Sequence, residues 1–409
     1  MAKKAGGLFI LLCLLGGLCA CGSGSDSGQE TKVISILEEE TQDSSPVYCN
    51  SGFTATNYGV IFPIESQSGG ILVYYDFSSD ETYPFCSNVN CSHEDDSCDA
   101  WFDSMVFGPA IYESKVYLFS YDNDSGDWLF LSMDPDGTNR KNIARLSGDD
   151  FSCDSMLLYR AWYDDESVIF AADCFSWETE EDFYTLAEVD LMDGQLEILS
   201  TIEIDNGVLA YENGVFFLSR GEWNESLMTE TEFYESNGSS ADYSEYYSEW
   251  YNTQYQVVYY LLDTGTGETT DLLIVPGSDG VAEWDYDHLA DEGIYYGTSG
   301  NILYGINLSK QSITTVYESE NQISMECAAD GNVFFLQLDD EREETLANSY
   351  FDIETGQVTD LDGRISGYGW IYDSTNQYFI GDADQGYFCI LKEDFYSSAF
   401  TQISVMMEH

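Results

Sequence analysis

Positive charge is scarce in this chain. Its 409 residues carry 13 Lys and Arg against 75 Asp and Glu, a formal charge of −62. A surface that acidic repels phosphate backbones and anionic lipid headgroups, which excludes nucleic acid as a partner. Cations, basic proteins and neutral molecules such as glycans remain, and the charge also serves solubility by itself. Histidine is rarer still. Only His93, His288 and the terminal His409 occur, which leaves two imidazoles for any Ser-His-Asp arrangement. There is no Gly-x-Ser-x-Gly elbow and no phosphate-binding glycine loop. Asp263-Thr264-Gly265 matches the aspartic-protease tripeptide but has no second copy, and that chemistry needs two paired carboxylates. Long apolar runs are missing too. Gly7–Leu18 is too short to span a bilayer as a stable helix, and no segment keeps the 3.6-residue apolar period of a long helix.

What the chain has in quantity is aromatic residues, 31 Tyr and 23 Phe within a hydrophobic content of 44%, ample for a large core. They recur in a pattern. Ala110–Leu146 reads as short strands rich in β-branched and aromatic residues, separated by turns at Asp122–Gly126 and Asp136-Gly137. Its sharpest strand, Lys115–Tyr121, has counterparts at Gly59–Glu65, Ser167–Asp173, Gly214–Arg220, Gly293–Ser299, Asn332–Leu338 and Gln377–Ala383. From Val60 through Val116, Val168, Val215, Ile294 and Val333 to Tyr378, the spacings are 56, 52, 47, 79, 39 and 45 residues. Five of the six lie near the ~40–50 residues of a four-stranded blade. A strand–turn–strand signal follows each copy, so the expected fold is all-β: a seven-bladed β-propeller of four-stranded antiparallel blades spanning 47–409. Two sandwiches in tandem would need a linker near the midpoint, and none is there.

Val116-Tyr117-Leu118, followed by Leu129 to Gly137, resembles the exported propellers of the TolB and low-density-lipoprotein-receptor type. The receptor signature Tyr-Trp-Thr-Asp is absent, and Tyr295-Tyr296-Gly297-Thr298 is the nearest match. At the other end, a basic Met1–Lys4 start and the apolar run close on Leu18-Cys19-Ala20-Cys21, which resembles the bacterial lipobox. That resemblance implies a signal peptide over 1–20 and a diacylated Cys21 on the outer face of the cell membrane. Residues 21–46, rich in Ser, Gly and acids, read as a flexible tether. Within it Lys32–Leu37 is a candidate strand for closing the ring. Lipobox, propeller and the cysteine cluster described below together look like a group of Gram-positive propeller lipoproteins. The likeness brings a fold and a location, but no activity.

The longest spacing contains an insertion, 221–256, between the second and third strands of the fourth unit. It gathers Tyr243, Tyr246, Tyr247, Trp250, Tyr251 and Tyr255 among carboxylates. Exposed rings stack on sugars or anchor a protein partner. The Ser, Glu and Gly content equally fits a low-complexity insertion. A smaller aromatic and acidic stretch, Phe175–Asp182, sits between the same pair of strands in the third unit. If both open on one rim, they form a joint surface.

With Cys13 and Cys19 in the leader and Cys21 lipidated, eight of eleven cysteines remain, and an even number in an exported chain points to disulfides. Cys153 and Cys174 flank a hairpin symmetrically, which predicts a bridge. Cys86, Cys91, His93 and Cys98 form C-x4-C-x-H-x4-C. Three thiols and an imidazole suit tetrahedral zinc, but the spacing is no known knuckle. An oxidising compartment favours two bridges among Cys49, Cys86, Cys91 and Cys98, so no metal and no cofactor is expected. Cys327 and Cys389 read as buried thiols. Asp122-x-Asp124-x-Gly126-Asp127 lacks the bidentate Glu of a calcium loop and reads as a turn.

The function expected from all this is a non-catalytic binding scaffold for a glycan or extracellular protein, anchored to the membrane through its lipid. The alternatives are a carbohydrate-active enzyme with a carboxylate pair in the propeller funnel, and an envelope-assembly component.

Overall fold

All seven expected strands are present in the computed structural model of the chain. They lie at Gly59–Ser66, Lys115–Asp122, Ser167–Ser176, Val215–Trp223, Ile294–Ser299, Asn332–Leu338 and Tyr378–Ala383. The structure describes residues 47–49 and 53–405, apart from 57, 67–68, 89, 94, 113, 164–165, 204–205, 224–226, 239–241, 277–283, 287–293, 339–348, 362–370, 375–377, 384–385 and 398–403. The expected leader, Cys21, the tether with Lys32–Leu37, His288 and His409 lie outside the described residues.

Each of the seven strands is the second of its own antiparallel sheet, and the sheets follow one another in chain order. The second sheet shows why. It comprises Val106–Tyr112, Lys115–Asp122, Asp127–Met133 and Lys141–Leu146. Along Lys115–Asp122 the side chains alternate between two faces, and both faces are buried. Val116 and Leu118 pack with Ile61, Leu72 and Tyr74 of the first sheet. Tyr117 and Phe119 pack with Val168, Phe170 and Ala172 of the third. A sheet apolar on both faces must be covered on both, and here its neighbours cover it.

The same device carries on along the chain. Ile169 and Ala171 meet Phe216 and Leu218 of the fourth sheet. Phe217 and Tyr259 meet Tyr295 and Ile306 of the fifth. Tyr296 and Leu303 meet Val333 and Phe335 of the sixth. Phe334 lies 5.6 Å from Phe379 of the seventh. Finally Cys389 of the seventh sheet packs with Val60, Phe62 and Val73 of the first. The core is therefore a series of layers between sheets rather than a single centre.

First strands of neighbouring sheets touch, as Val106–Tyr112 does Ser155–Tyr163 and Gln322–Ala329 does Ile371–Ser374. The buried Tyr163 hydroxyl donates to Gly108 O at 2.8 Å across one such contact. The segment Val47–Cys49 pairs antiparallel with Tyr163–Ala161, adding an edge strand to the third sheet. The aspartate-glycine turns form where expected. At Gly137, φ is +80°, and a Cβ would stand 2.0 Å from Phe85 O, so both backbone conformation and space demand glycine. The calcium-like Asp122–Asp127 stretch is a hairpin turn, its Asp122 and Asp127 paired with Arg145.

Candidate functional site

The fourth-sheet insertion is a small helical fold, which sequence reading did not foresee. It contains helix α1 (Glu230–Asn237) and helix α2 (Tyr243–Gln254). Thr229 caps α1 in a capping box with Glu232, and Asp242 Oδ1 accepts the N–H groups of Ser244 and Glu245 at the start of α2. Phe233 stacks on Tyr246 at 4.9 Å and meets Tyr243 edge-on at 5.4 Å, joining the helices. The Tyr243 hydroxyl donates to Met228 O at 2.8 Å, and the Met228 N–H donates to Tyr246 Oη at 3.2 Å. Trp250 is buried, with Trp223 stacked on it at 4.5 Å, and Tyr255 lies 4.2 Å from Trp223.

Of the six expected contact residues, then, Tyr243, Tyr246, Trp250 and Tyr255 are spent largely on holding the insertion together. Tyr247 is exposed, at 43%. The side chain of Tyr251 lies outside the described residues. Two more rings are on offer that were not singled out: Trp223, 48% exposed, and Trp177, 70% exposed, at the tip of the third-sheet hairpin. Trp177 lies in the connection from second to third strand and Trp223 ends the second strand of the next sheet; the two sheets pack face to face, so both rings emerge at the same end.

The face of the third sheet that carries Ile169 and Ala171 onto the fourth continues, by alternation, to Asp173 and Phe175. Phe175 meets Trp177 edge-on at 4.6 Å, and Tyr184 lies 5.6 Å from Tyr159. Burial, followed by the neighbouring Asp182 carboxylate, raises the pKa of Asp173 above the ordinary aspartate range. On the fourth sheet Arg220 lies over the Tyr260 ring at 4.7 Å, with Glu222 at 2.9 Å and Asp271 at 3.0 Å. Flat rings set beside carboxylates can stack on a sugar while accepting its hydroxyl protons, and they can equally hold a cationic side chain.

A second cluster lies in the connection from the first sheet to the second. The ligand atoms of Cys86, Cys91, His93 and Cys98 all lie within 4.8 Å of one another. His93 Nδ1 is 3.2 Å from Cys98 Sγ, and the His93 N–H donates to Cys91 Sγ at 3.4 Å. Burial pushes the Cys98 thiol up to about 12, with Cys91 and Cys86 adding to the effect. The three cysteines are thiols here, and none of the expected pairings is formed. Cys49 is placed elsewhere: its backbone pairs with Ala161 on the inner edge of the third sheet.

Cys153 and Cys174 are likewise thiols, within hydrogen-bonding reach of each other but not bridged. The symmetric-flank expectation misjudged the register. Tyr163 pairs with Val168, so the hairpin is centred about two residues later than the symmetric flanks require, and Met156, not Cys153, stands opposite Cys174. Burial pushes the Cys174 thiol up to about 12. Cys327 and Cys389 are buried, as expected.

No family model and no curated protein matches this chain. Among solved structures, it is similar to the β-propeller domain of the Trilobed protease from Pyrococcus furiosus. The identity is 10% and the TM-score 0.48, over 89% of this chain and 98% of that one. It is also similar to oligogalacturonate lyase from Vibrio parahaemolyticus, at 7% identity and a TM-score of 0.44, over 85% and 91% of the two chains. TolB from Acinetobacter baumannii gives 12% and 0.37, over 91% and 90%. The successive four-stranded antiparallel sheets, each packed on the next, make this an all-β fold of propeller type. Likeness at these identities speaks of the propeller alone, yet it corrects one expectation. Two of these three propellers belong to proteins named as enzymes, a protease and a lyase, so the reading of this chain as a non-enzyme is withdrawn. That reading rested on missing motifs, and a fold does not decide the chemistry of its sites.

Proposed function

We propose that this propeller is a lipid-anchored extracytoplasmic binding scaffold that takes a glycan or an extracellular protein on the rim carrying Trp177, Trp223 and Tyr247. In this reading the seven sheets are the blades of one ring, residues 1–20 are a signal peptide, and Cys21 carries the lipid that holds the chain at the outer face of the cell membrane. The observation that carries it is the pair of exposed indoles, Trp177 and Trp223, at the same end of adjacent sheets and beside carboxylates. Large exposed rings cost solubility unless something covers them. The test is Trp177→Ala with Trp223→Ala, probed on glycan and cell-surface protein arrays. Each substitution should weaken binding about tenfold or more; Trp177→Ala should leave thermal unfolding nearly unchanged, while Trp223→Ala also removes the ring stacked on Trp250 and should loosen the insertion. Undiminished binding by the double variant refutes the rim assignment. For the anchor, fatty-acid labelling should disappear in Cys21→Ser.

One observation favours a second reading, a carbohydrate-active enzyme. Asp173, with its raised pKa and Asp182 nearby, has the environment of a general acid. It stands on a second strand rather than in the central funnel. Product release from a polysaccharide panel that vanishes in Asp173→Asn would establish this reading. Release that is absent from the parent chain would end it.

A further inference from the structure

We propose that Cys86, Cys91, His93 and Cys98 hold one Zn(II) ion, which fastens the connection between the first and second sheets. Four donors from one short segment converge with their ligand atoms within 4.8 Å of each other. Zinc bonds of the usual length make a tetrahedron with edges of roughly 3.6–3.8 Å, and the 3.2 Å approach of His93 Nδ1 to Cys98 Sγ lies close to that. Soft thiolates with one imidazole select zinc over calcium, magnesium or manganese. With four protein donors the site is closed, which is the mark of a structural ion rather than a catalytic one.

Three further features fit thiolates bound to a metal. The backbone N–H two residues beyond Cys91 donates to its sulfur, and the one two residues beyond Cys98 does the same: His93 for the first, Ala100 for the second. Such donors support anionic sulfur. Arg140 of the second sheet lies close to Cys98, hydrogen-bonds Asp99 O at 2.5 Å and Trp101 O at 2.9 Å, and covers the Phe102 ring at 4.0 Å. Three thiolates, a neutral imidazole and Zn(II) sum to one negative charge, which its guanidinium offsets. A disulfide between any two of the three cysteines leaves the third sulfur and the imidazole without a role, and the fourth cysteine of the two-bridge scheme, Cys49, belongs to the third sheet.

The ion's position explains its use. Cys98 belongs to the buried cluster of Leu72, Phe85, Trp101, Val116 and Met133, with Cys86 and Cys91 packed against it. Binding displaces the thiol protons to solvent as the zinc–sulfur bonds form, with no change of oxidation state. The experiment is elemental analysis of the full chain purified without chelator. It should contain about one zinc per chain. Cys91→Ser and His93→Ala should each lose most of it, and Cys153→Ser should keep it. Cobalt replacing zinc should show thiolate-to-cobalt charge transfer with tetrahedral d–d bands. Stripping the metal should lower Tm by roughly 5 °C or more. Should Cys91→Ser fail to fold, His93→Cys keeps four donors and should retain the metal. Metal-free protein with a peptide map showing a bridge among Cys86, Cys91 and Cys98 overturns the proposal, as does metal-free protein with all three as thiols, or zinc unchanged in both Cys91→Ser and His93→Ala.

Discussion

Residues 85–102 and 223–255 both interrupt the meander, yet they are stabilised in opposite ways. The first segment is drawn inward. Phe85, Cys98, Ala100, Trp101 and Phe102 are buried within the layer between the first and second sheets, and Asp136 O accepts the Ser87 N–H at 3.0 Å from the far side. The second segment builds its own small core around Phe233 and Trp250 and rests on the end of the fourth sheet. A loop pulled into an inter-sheet layer becomes part of the fold and loses its freedom to vary. A loop with a core of its own leaves the fold alone and can specialise in contact with others.

The sharpest way to break this distinction is to empty the first segment. Trp101→Ala removes a buried indole from the layer and should destabilise the whole chain by about 3–5 kcal/mol in denaturant unfolding. A loss below ~1 kcal/mol would mean the segment merely lies on the surface. A smaller effect is expected from Thr229→Ala, which removes the cap of α1. It should cost about 1 kcal/mol, seen as faster amide exchange over 230–237 with the global transition unmoved. A matching drop in the global transition would show that the insertion is not autonomous.

The smallest effect concerns Asp173, where the two neighbouring sheets meet the rim. Its folded pKa is raised by burial and by Asp182, so the folded chain binds the proton more tightly than the unfolded one. Stability therefore falls as pH rises from the unfolded to the folded pKa, and the penalty stays in full above that. Asp173→Asn lacks the penalty. Its Tm should exceed that of the parent at pH 7, with the gap closing below about pH 4. A gap independent of pH would assign the gain to something other than charge.

What could be read in advance was local. The second strand of each sheet announces itself through β-branched and aromatic residues next to turn glycines, and Lys115–Tyr121 and its six counterparts fall within a few residues of where the structure has them. The place of the insertion was equally plain. Its helices were missed because the stripe at Tyr243, Tyr246, Tyr247 and Trp250 was read as rings for a ligand. That spacing is a helix face, and Thr229 with Glu232 is the signature of a capped start. The failure at Cys153 and Cys174 came from misplacing the centre of the hairpin: Tyr163 pairs with Val168, which sets Met156 opposite Cys174. The raised pKa of Asp173 was out of reach for another reason: it depends on what a neighbouring segment places beside it. The convergence of His93 with three sulfurs likewise depends on how a loop closes, not on its spacing.

The strand Val47–Cys49 lies along the first strand of the third sheet, where first strands of adjacent sheets meet. Touching the first strands of both the second and the third sheets, this short segment is a wedge between them: pulled out, it would bare the edge of one and unseat the other together.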